Sequence, residues 1–265
     1  MNTKSRIDSI VKSNSLDFSI TGLQTFNLSE LNIVNDLEFL LPNNIRLGHL
    51  AEKIVSELIK SSTNYKVLHE NVQVIESKNT IGEIDFLIEE LKTETKIHLE
   101  LAYKFYLYDP NISSEPINNW IGPNRNDSLI KKLEKLKSKQ FPLLHHNCTK
   151  AIFNEIDVSE VSQALCLLVS LFIPYEYKAT FSSIYKNAIK GYYVDFETFN
   201  NFNHSDKNYY MPSKKEWGID PSENGTWTDF EGIKNYIETC MKENQAPLCW
   251  QKNNGSYEAF FIVWW

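Results

Sequence analysis

The sequence lacks several features that mark common classes of protein. Its longest apolar run, Ala164–Pro174, is too short to span a bilayer. The N-terminal residues are too polar to form the apolar segment of a secretory signal peptide. The sequence contains no internal repeat and no low-complexity tract. We therefore expect a soluble, cytoplasmic, globular protein that has no membrane partner.

Cysteine is scarce and widely spaced. The chain has four cysteines, Cys148, Cys166, Cys240 and Cys249, and no pair shows the C-x-x-C spacing of a zinc ribbon or a thioredoxin-like motif. We expect reduced, buried thiols, as in most cytosolic proteins. The run from His145 to Cys148 contains metal-ligand residue types, but adjacent side chains point apart. We therefore interpret this run as no metal site.

A general excess of positive charge is also missing. The chain carries 27 Lys and Arg against 34 Asp and Glu, a net charge of −7, which argues against a protein that coats nucleic acid. The segment from Arg125 to Lys150 departs from this balance, with seven basic and two acidic residues. It is either a solvated helix face or an edge that contacts phosphates. Its central basic residues are Lys131, Lys132, Lys135 and Lys137.

Hydrophobic periodicity predicts a mixed α/β, or α+β, fold. An apolar stripe predicts a helix over Arg46–Ser61, and alternation predicts strands over Tyr65–Ile75 and on both sides of a turn within Ile81–Leu107. Short links make these three strands an antiparallel meander. A helix over Ser128–Gln140 then leads to a buried strand, Ser162–Pro174, for which a parallel arrangement is favoured.

We divide the chain into an N-terminal helical or irregular segment (1–45), a core (46–175) and an aromatic-rich α+β extension packed on that core (176–265). Within the first segment, short helices are predicted at Ser9–Lys12 and Leu31–Leu41. The extension is predicted to contain a strand over Gly191–Phe196, a helix over Asp229–Lys242 and a hairpin that turns at Asn253–Ser256. The tryptophans predicted to form its core are Trp217, Trp227, Trp250, Trp264 and Trp265.

The hairpin within Ile81–Leu107 carries the residues of greatest chemical interest. A turn in the polar run Glu90–Thr95 sets a register in which Asp85 faces Glu100, with Cβ atoms about 5 Å apart. Opposed carboxylates repel, and a bound cation or a shared proton would relieve the repulsion. Lys104 points to the same side of the strand. The alternative is that all three side chains form the solvated face of an antiparallel sheet.

The order helix, three-stranded meander, helix, strand resembles the core of the PD-(D/E)XK nucleases. That superfamily carries an acidic residue on the first helix, an Asp on the second strand and Glu-x-Lys on the third. The corresponding residues here are Glu52, Asp85, Glu100 and Lys104. Over roughly residues 40–265, the chain also resembles the bacterial family described as domain of unknown function 1853. The residues that carry this resemblance are Arg46-Leu-Gly48, Glu52, Gly82-Glu-Ile-Asp85-Phe86, His98 through Leu107, Gly122-Pro-Asn124, Asp127, Lys137, Gln140 and Tyr210 through Trp217.

The resemblance implies a metal-dependent nuclease or phosphodiesterase that acts on DNA or RNA. Asp85, Glu100 and Glu52 would bind Mg²⁺ or Mn²⁺ through hard oxygen ligands. Lys104 would orient water or neutralise developing charge. Residues of the following helix, including Lys131, Lys132, Lys135, Lys137 and Gln140, would contact the phosphate backbone or steady the site.

One position departs from the nuclease pattern. Ala102 stands where the usual Glu-x-Lys spacing places its carboxylate, so Glu100 and Lys104 lie about 13 Å apart along the strand instead of about 7 Å. This departure favours an alternative, a catalytically inactive nuclease-like module that binds nucleic acid or a protein partner. A third hypothesis is a purely structural protein whose hairpin charges keep it in solution.

Overall fold

The computed structural model describes residues 3–34, 37, 39–42, 45–178 and 180–265, which form a mixed α/β fold, as predicted. The helices are α1 (Thr3–Val11), α2 (Phe18–Thr21), α3 (Leu47–Lys60), α4 (Leu129–Lys135), α5 (Asn147–Ile152), α6 (Ser183–Ala188), α7 (Phe196–Asn200) and α8 (Phe230–Lys242). The strands are β1 (Asn14–Ser15), β2 (Tyr65–Glu76), β3 (Asn79–Glu90), β4 (Lys96–Tyr108), β5 (Trp120–Ile121), β6 (Ser162–Pro174), β7 (Ile189–Asp195), β8 (Asn208–Tyr210), β9 (Leu248–Asn253) and β10 (Ser256–Val263). Among these described helices, none combines the length and the apolar character that crossing a membrane requires.

The chain falls into two compact units whose segments alternate along the sequence. Unit 1 comprises Met1–Asn14, Lys104–Ile130 and Val169–Trp265, and unit 2 comprises Ser15–Tyr103 and Lys131–Leu168. Strands β4 and β6 contribute residues to both units. The division into 1–45, 46–175 and 176–265 stays a prediction.

Helix α3 of unit 2 forms where the apolar stripe predicts it. The buried residues recur at helical spacing, and Glu52 lies at the border of the stripe with 21% of its side chain exposed. The helix spans Leu47–Lys60, with Arg46 and Ser61 as its flanking residues. The buried apolar residues are Leu47, Leu50, Ala51, Ile54, Val55, Leu58 and Ile59.

Strands β2, β3 and β4 form the predicted antiparallel meander. The β3–β4 ladder pairs Phe86 with Leu99, which confirms the predicted register. A hydrogen bond from the Glu90 N–H to the Thr95 carbonyl closes the turn. The alternation of apolar residues and the position of the polar run are therefore enough to fix which residues of this hairpin oppose each other.

Strand β6 lies beside β4 and runs parallel to it. The two strands are neighbours in the sheet. The Ser162 hydroxyl donates to the Lys96 carbonyl, and the Gln163 side chain meets the His98 ring, so both strands begin at the same edge. The prediction of a buried strand over Ser162–Pro174 is confirmed.

The segment between the meander and β6 is not one regular helix. Regular α-helix covers Leu129–Lys135, and Leu136–Gln140 form a wide π turn in which the Phe141 N–H donates to the Leu136 carbonyl. A 3₁₀ turn, Phe141–His145, follows. The predicted apolar seam is buried and consists of Leu129, Leu133 and Leu136.

In unit 1 the hydrogen-bonded strand order is β6, β7, β10, β9, β8. The predicted C-terminal hairpin is confirmed: β9 and β10 pair around Asn254 and Gly255, both in the left-handed region at φ 47° and 82°. The strand predicted over Gly191–Phe196 forms as β7, and the helix predicted over Asp229–Lys242 forms as α8 with Asp229 as its N-cap.

The prediction that tryptophans form the core of this C-terminal part is largely wrong. Of the five, Trp217 is buried, Trp264 is 37% exposed, and Trp227, Trp250 and Trp265 are half-buried. Smaller rings and aliphatic side chains occupy the interior, because inward-facing positions on β7, β10 and α7 carry them. The core cluster is Val194, Phe199, Tyr209, Ile233, Ile237, Cys249, Phe260 and Ile262.

The N-terminal predictions have mixed outcomes. The helix predicted at Ser9–Lys12 overlaps the end of α1, which begins earlier, at Thr3, and ends at Val11. The helix predicted over Leu31–Leu41 lies partly outside the described residues, and its described beginning, residues 31–34, is not helical. There Ile33 makes a bridge with Ser62, and the Asn32 N–H donates to the Asn64 side chain. These tertiary hydrogen bonds replace helical ones.

Candidate active site

Asp85 and Glu100 meet across the end of the β3–β4 ladder in unit 2. The last regular pair is Phe86 with Leu99, so the next pair in the same register is Asp85 with Glu100. Instead of continuing the ladder, Asp85 Oδ2 accepts a 2.8 Å hydrogen bond from the Leu101 N–H. The Asp85 backbone is in turn hydrogen-bonded to the Glu100 carboxyl group. The two carboxyl groups therefore lie together at the junction of the strands.

The surroundings of this pair disfavour negative charge. Glu100 is fully buried and Asp85 is half-buried. Burial, and next the negative charge of Glu100, raise the pKa of Asp85 to about 7. Burial also raises the pKa of Glu100 to about 7, although the positive charge of Lys132 opposes the rise. Near neutral pH the pair therefore binds protons that ordinary carboxylates have already lost.

Glu52 adds a third acidic group from α3. Its negative charge contributes to the raised pKa values of both Asp85 and Glu100. The Glu52 carboxylate lies 2.9 Å from Nδ1 of His49, and this hydrogen bond raises the pKa of His49. Both side chains line a cavity of about 350 Å³ whose wall also includes Glu83. The acidic lining favours cations over free phosphate.

Two neutral side chains hold the Glu100 carboxyl group in place. His98 Nε2 lies 2.9 Å from Oε1, and the Gln140 side-chain amide donates to Oε2. Burial lowers the pKa of His98 to about 4, so the ring is uncharged at neutral pH. The Gln163 side-chain amide donates a hydrogen bond of 2.7 Å to the Phe141 carbonyl. The same amide nitrogen lies 3.3 Å from His98 Nδ1. This arrangement makes Nδ1 an acceptor and leaves the Nε2–H to donate to Glu100.

Lys132 supplies the positive charge of the site. Its Nζ donates a 3.0 Å hydrogen bond to Gln140 Oε1, and its charge lowers the pKa values of both Asp85 and Glu100. The charge of Lys135 also lowers the pKa of Glu100. The side chains of Lys131, Lys135 and Lys137 are exposed. Of the residues predicted to contact nucleic acid, Lys132 and Gln140 are therefore brought to the carboxylates.

Lys104 is placed differently from its predicted role. It belongs to unit 1, where its Nζ donates a 2.8 Å hydrogen bond to Asp127 Oδ2. The loop that carries Asp127 packs closely against Gly122. A Cβ atom at position 122 would lie 2.0 Å from Asp127 Oδ1, so only glycine permits this approach. Ala102, between Glu100 and Lys104, is buried. The structure thus brings Asp85 and Glu100 together in unit 2, where Glu52 acts on both through its charge, and gives Lys104 a carboxylate partner in unit 1.

Gly82 accounts for the way the π turn approaches the strands. A Cβ atom at Gly82 would lie 2.3 Å from a methyl group of Leu143, which belongs to the 3₁₀ turn after Gln140. The absence of a side chain lets this turn pack against β3. The close packing helps to bring Gln140 within reach of Glu100.

Sequence analysis named His98 beside the acidic pair and Asp127 in the following loop without predicting their contacts, and it missed Gln163. His98 lies two residues before Glu100, and the period-two alternation of a strand signals that both share a face. No sequence pattern points to Gln163, because its contact with His98 depends on β6 lying beside β4. The pairing of Asp127 with Lys104 likewise depends on the path of the intervening loop.

The chain matches a known protein family. The family model described as Domain of unknown function (DUF1853) matches residues 16–258. No curated protein and no solved structure matches the chain.

Proposed function

The chain belongs to the DUF1853 family, and from the chemistry of its site we propose that it is a metal-dependent nuclease or phosphodiesterase acting on nucleic acid. The observation that carries the proposal is the opposed pair of half-buried Asp85 and buried Glu100, whose pKa values are both raised to about 7. Two carboxyl groups held in such surroundings need a compensating cation or proton. Perturbed groups of this kind cluster at functional sites.

The residues of the site fit a hard divalent cation. Asp85 and Glu100 offer oxygen ligands only, which are the donors that Mg²⁺ and Mn²⁺ prefer, and Glu52 would join them by turning away from His49. The hydrogen bonds from His98 and Gln140 orient the Glu100 carboxyl group, as partners of metal-binding carboxylates commonly do. When bound, such an ion supplies positive charge that stabilises the phosphate in its transition state and lowers the pKa of a water molecule.

The remaining groups have roles that follow from their charges. Lys132 lies where it can balance a phosphate oxygen while its hydrogen bond to Gln140 is kept. The exposed Lys135 and Lys137 add a basic surface along the same segment, suited to a phosphate backbone. His98, uncharged at neutral pH, does not compete with the cation. Lys104 would join the chemistry only by leaving Asp127.

Cleavage assays with labelled single-stranded and double-stranded DNA and RNA test the proposal. We expect cleavage in Mg²⁺ or Mn²⁺, none in chelator, and a loss of about 100-fold or more in Asp85→Asn. Glu94→Gln, which removes a carboxylate in the turn between β3 and β4, is the matched control and should cleave like the wild type. Absence of cleavage on every substrate by folded protein would refute the catalytic proposal.

One observation favours a second candidate, a non-catalytic nuclease-like module that binds nucleic acid or a protein partner. Lys104 is engaged by Asp127, and Ala102 supplies no carboxylate between Glu100 and Lys104. For nucleic acid, this candidate predicts salt-dependent binding that survives Asp85→Asn and weakens when Lys135 and Lys137 are replaced by Ala. Binding measurements at several salt concentrations, made alongside the cleavage assay, separate the two candidates.

A further inference from the structure

A second group of metal-ligand side chains lies outside the carboxylate site. Glu76 is the last residue of β2, His146 precedes α5, and Cys148 lies in the first turn of α5. One ligand atom from each of the three residues lies within 4.8 Å of the other two. His146 Nε2 is 3.6 Å from Glu76 Oε1. His145, next in sequence, is exposed and is not part of this group.

Core packing holds the backbones that carry these side chains. Val74 on β2 and Phe153 at the end of α5 belong to one buried cluster, and Cys148 packs against that cluster. The rings of His69, also on β2, and Phe153 lie 4.8 Å apart. The approach of the three ligand atoms is therefore set by a packed scaffold.

We propose that Glu76, His146 and Cys148 bind a borderline divalent transition-metal ion of the zinc class. A thiolate, an imidazole and a carboxylate are the donors that Zn²⁺ takes in proteins, whereas Mg²⁺ and Ca²⁺ prefer oxygen alone. Three protein ligands leave a fourth tetrahedral position for water or another ligand. The site joins the end of β2 to the start of α5, so metal binding stabilises that junction.

Metal binding at this site has a defined proton balance. The Cys148 thiol loses its proton to solvent as the bond between sulfur and metal forms, so affinity rises with pH. His146 Nδ1 accepts a 3.3 Å hydrogen bond from the Cys148 N–H, so the neutral ring carries its proton on Nε2. A metal at Nε2 moves that proton to Nδ1, which can then no longer accept from the Cys148 N–H, so this long hydrogen bond is lost on binding.

Titration of the full-length, metal-free protein with Zn²⁺, and with Co²⁺ as a spectroscopic probe, tests the proposal. We expect one saturable site, a thiolate-to-cobalt charge-transfer band, and a rise in Tm on Zn²⁺ addition. Cys148→Ser should lose the band, and His146→Asn, which keeps a helix-capping side chain, should bind at least about 10-fold more weakly. Glu76→Gln, at an exposed position, provides a variant with little effect on folding.

The controls separate this site from the carboxylate site. His145→Ala removes the neighbouring histidine, and Asp85→Asn removes a proposed Mg²⁺ ligand; both should bind Zn²⁺ like the wild type. Cys148→Ser should keep any Mg²⁺-dependent cleavage. The proposal is overturned if the wild type shows no saturable binding, or if the Cys148 and His146 variants bind Zn²⁺ as tightly as it does. Loss of Zn²⁺ binding in Asp85→Asn would overturn it as well.

Discussion

Asp85 on β3 accepts a hydrogen bond from the N–H of Leu101 on β4, at 2.8 Å, where a regular ladder would use a backbone carbonyl. A side chain thus takes over a backbone contact at the residue directly after Glu100. The bond favours the ionised form of Asp85 and so opposes part of the effect of burial. It also fixes one oxygen of Asp85 independently of any bound ion.

The carboxyl pair should make stability depend on pH. In the folded state both pKa values are raised to about 7, against ordinary values of 3.8 and 4.5. Between these limits the folded state binds more protons than the unfolded chain, so the free energy of unfolding falls as pH rises from about 4 to 7. Urea unfolding in chelator at pH 5 and pH 8 measures this fall.

Asp85→Asn should reduce that pH dependence. The Asn side-chain oxygen can still accept from Leu101, while the repulsion with Glu100 is removed. We expect the variant to be more stable than the wild type at pH 8 by about 1.4 kcal/mol, the equivalent of one pKa unit. Glu94→Gln, the control in the hairpin turn, should leave the pH dependence unchanged. An equal pH dependence in wild type and Asp85→Asn would contradict the raised pKa values.

Binding of Mg²⁺ or Mn²⁺ should release protons. Below pH 7 the pair carries protons that a cation must displace, so affinity should increase between pH 6 and pH 8. Calorimetric titration in two buffers with different ionisation enthalpies measures the number of protons released. An ion that binds with no proton release at pH 6 does not bind at Asp85 and Glu100.

Gln140→Ala should weaken the site without unfolding the protein. The change removes a donor to Glu100 and an acceptor for Lys132. We expect a loss of stability of about 1–3 kcal/mol and a loss of metal affinity of about 10-fold or more. Lys139→Ala, an exposed neighbour in the same π turn, is the control. Unchanged metal affinity in Gln140→Ala would show that Glu100 needs no support from this residue.

Replacement of Lys104 and of Lys132 by Met should distinguish the two cations. If Lys132 supplies the positive charge of the site, Lys132→Met lowers cleavage strongly and Lys104→Met lowers it less. A double-mutant cycle of Lys104 with Asp127 should give a coupling of about 0.2–1 kcal/mol in stability, because both side chains are partly exposed. A larger loss of cleavage in Lys104→Met would assign the catalytic cation to Lys104.

Parts of the site could be predicted from local pattern alone. Strand alternation and the polar turn gave the register that opposes Asp85 and Glu100, and the apolar stripe of α3 placed Glu52 at its border. These features depend on spacing within one or two elements. The effect of the Glu52 charge on the carboxyl pair depends on how α3 packs against the strands, which the stripe alone does not determine.

The other parts depend on contacts between distant segments. Lys104 shares a strand with Glu100, yet its partner is Asp127, because the Gly122 loop brings that carboxylate to it. The near-adjacent positions of His146 and Cys148 did not predict that their ligand atoms lie close together. The third member of the group, Glu76, comes from a strand far away in sequence. Local periodicity does not predict contacts between residues that are far apart in sequence.

The π turn at Leu136–Gln140 has a consequence for the length of this segment. A π turn holds one residue more than the corresponding α-helical path, and each residue of an α-helix rotates the side-chain direction by about 100°. Deleting one residue of this turn, other than Gln140, would let the segment adopt regular α-helix. The Gln140 side-chain amide would then point away from the carboxyl pair. Chain length between α4 and the next turn is therefore as much a requirement of the site as the identity of any side chain in it.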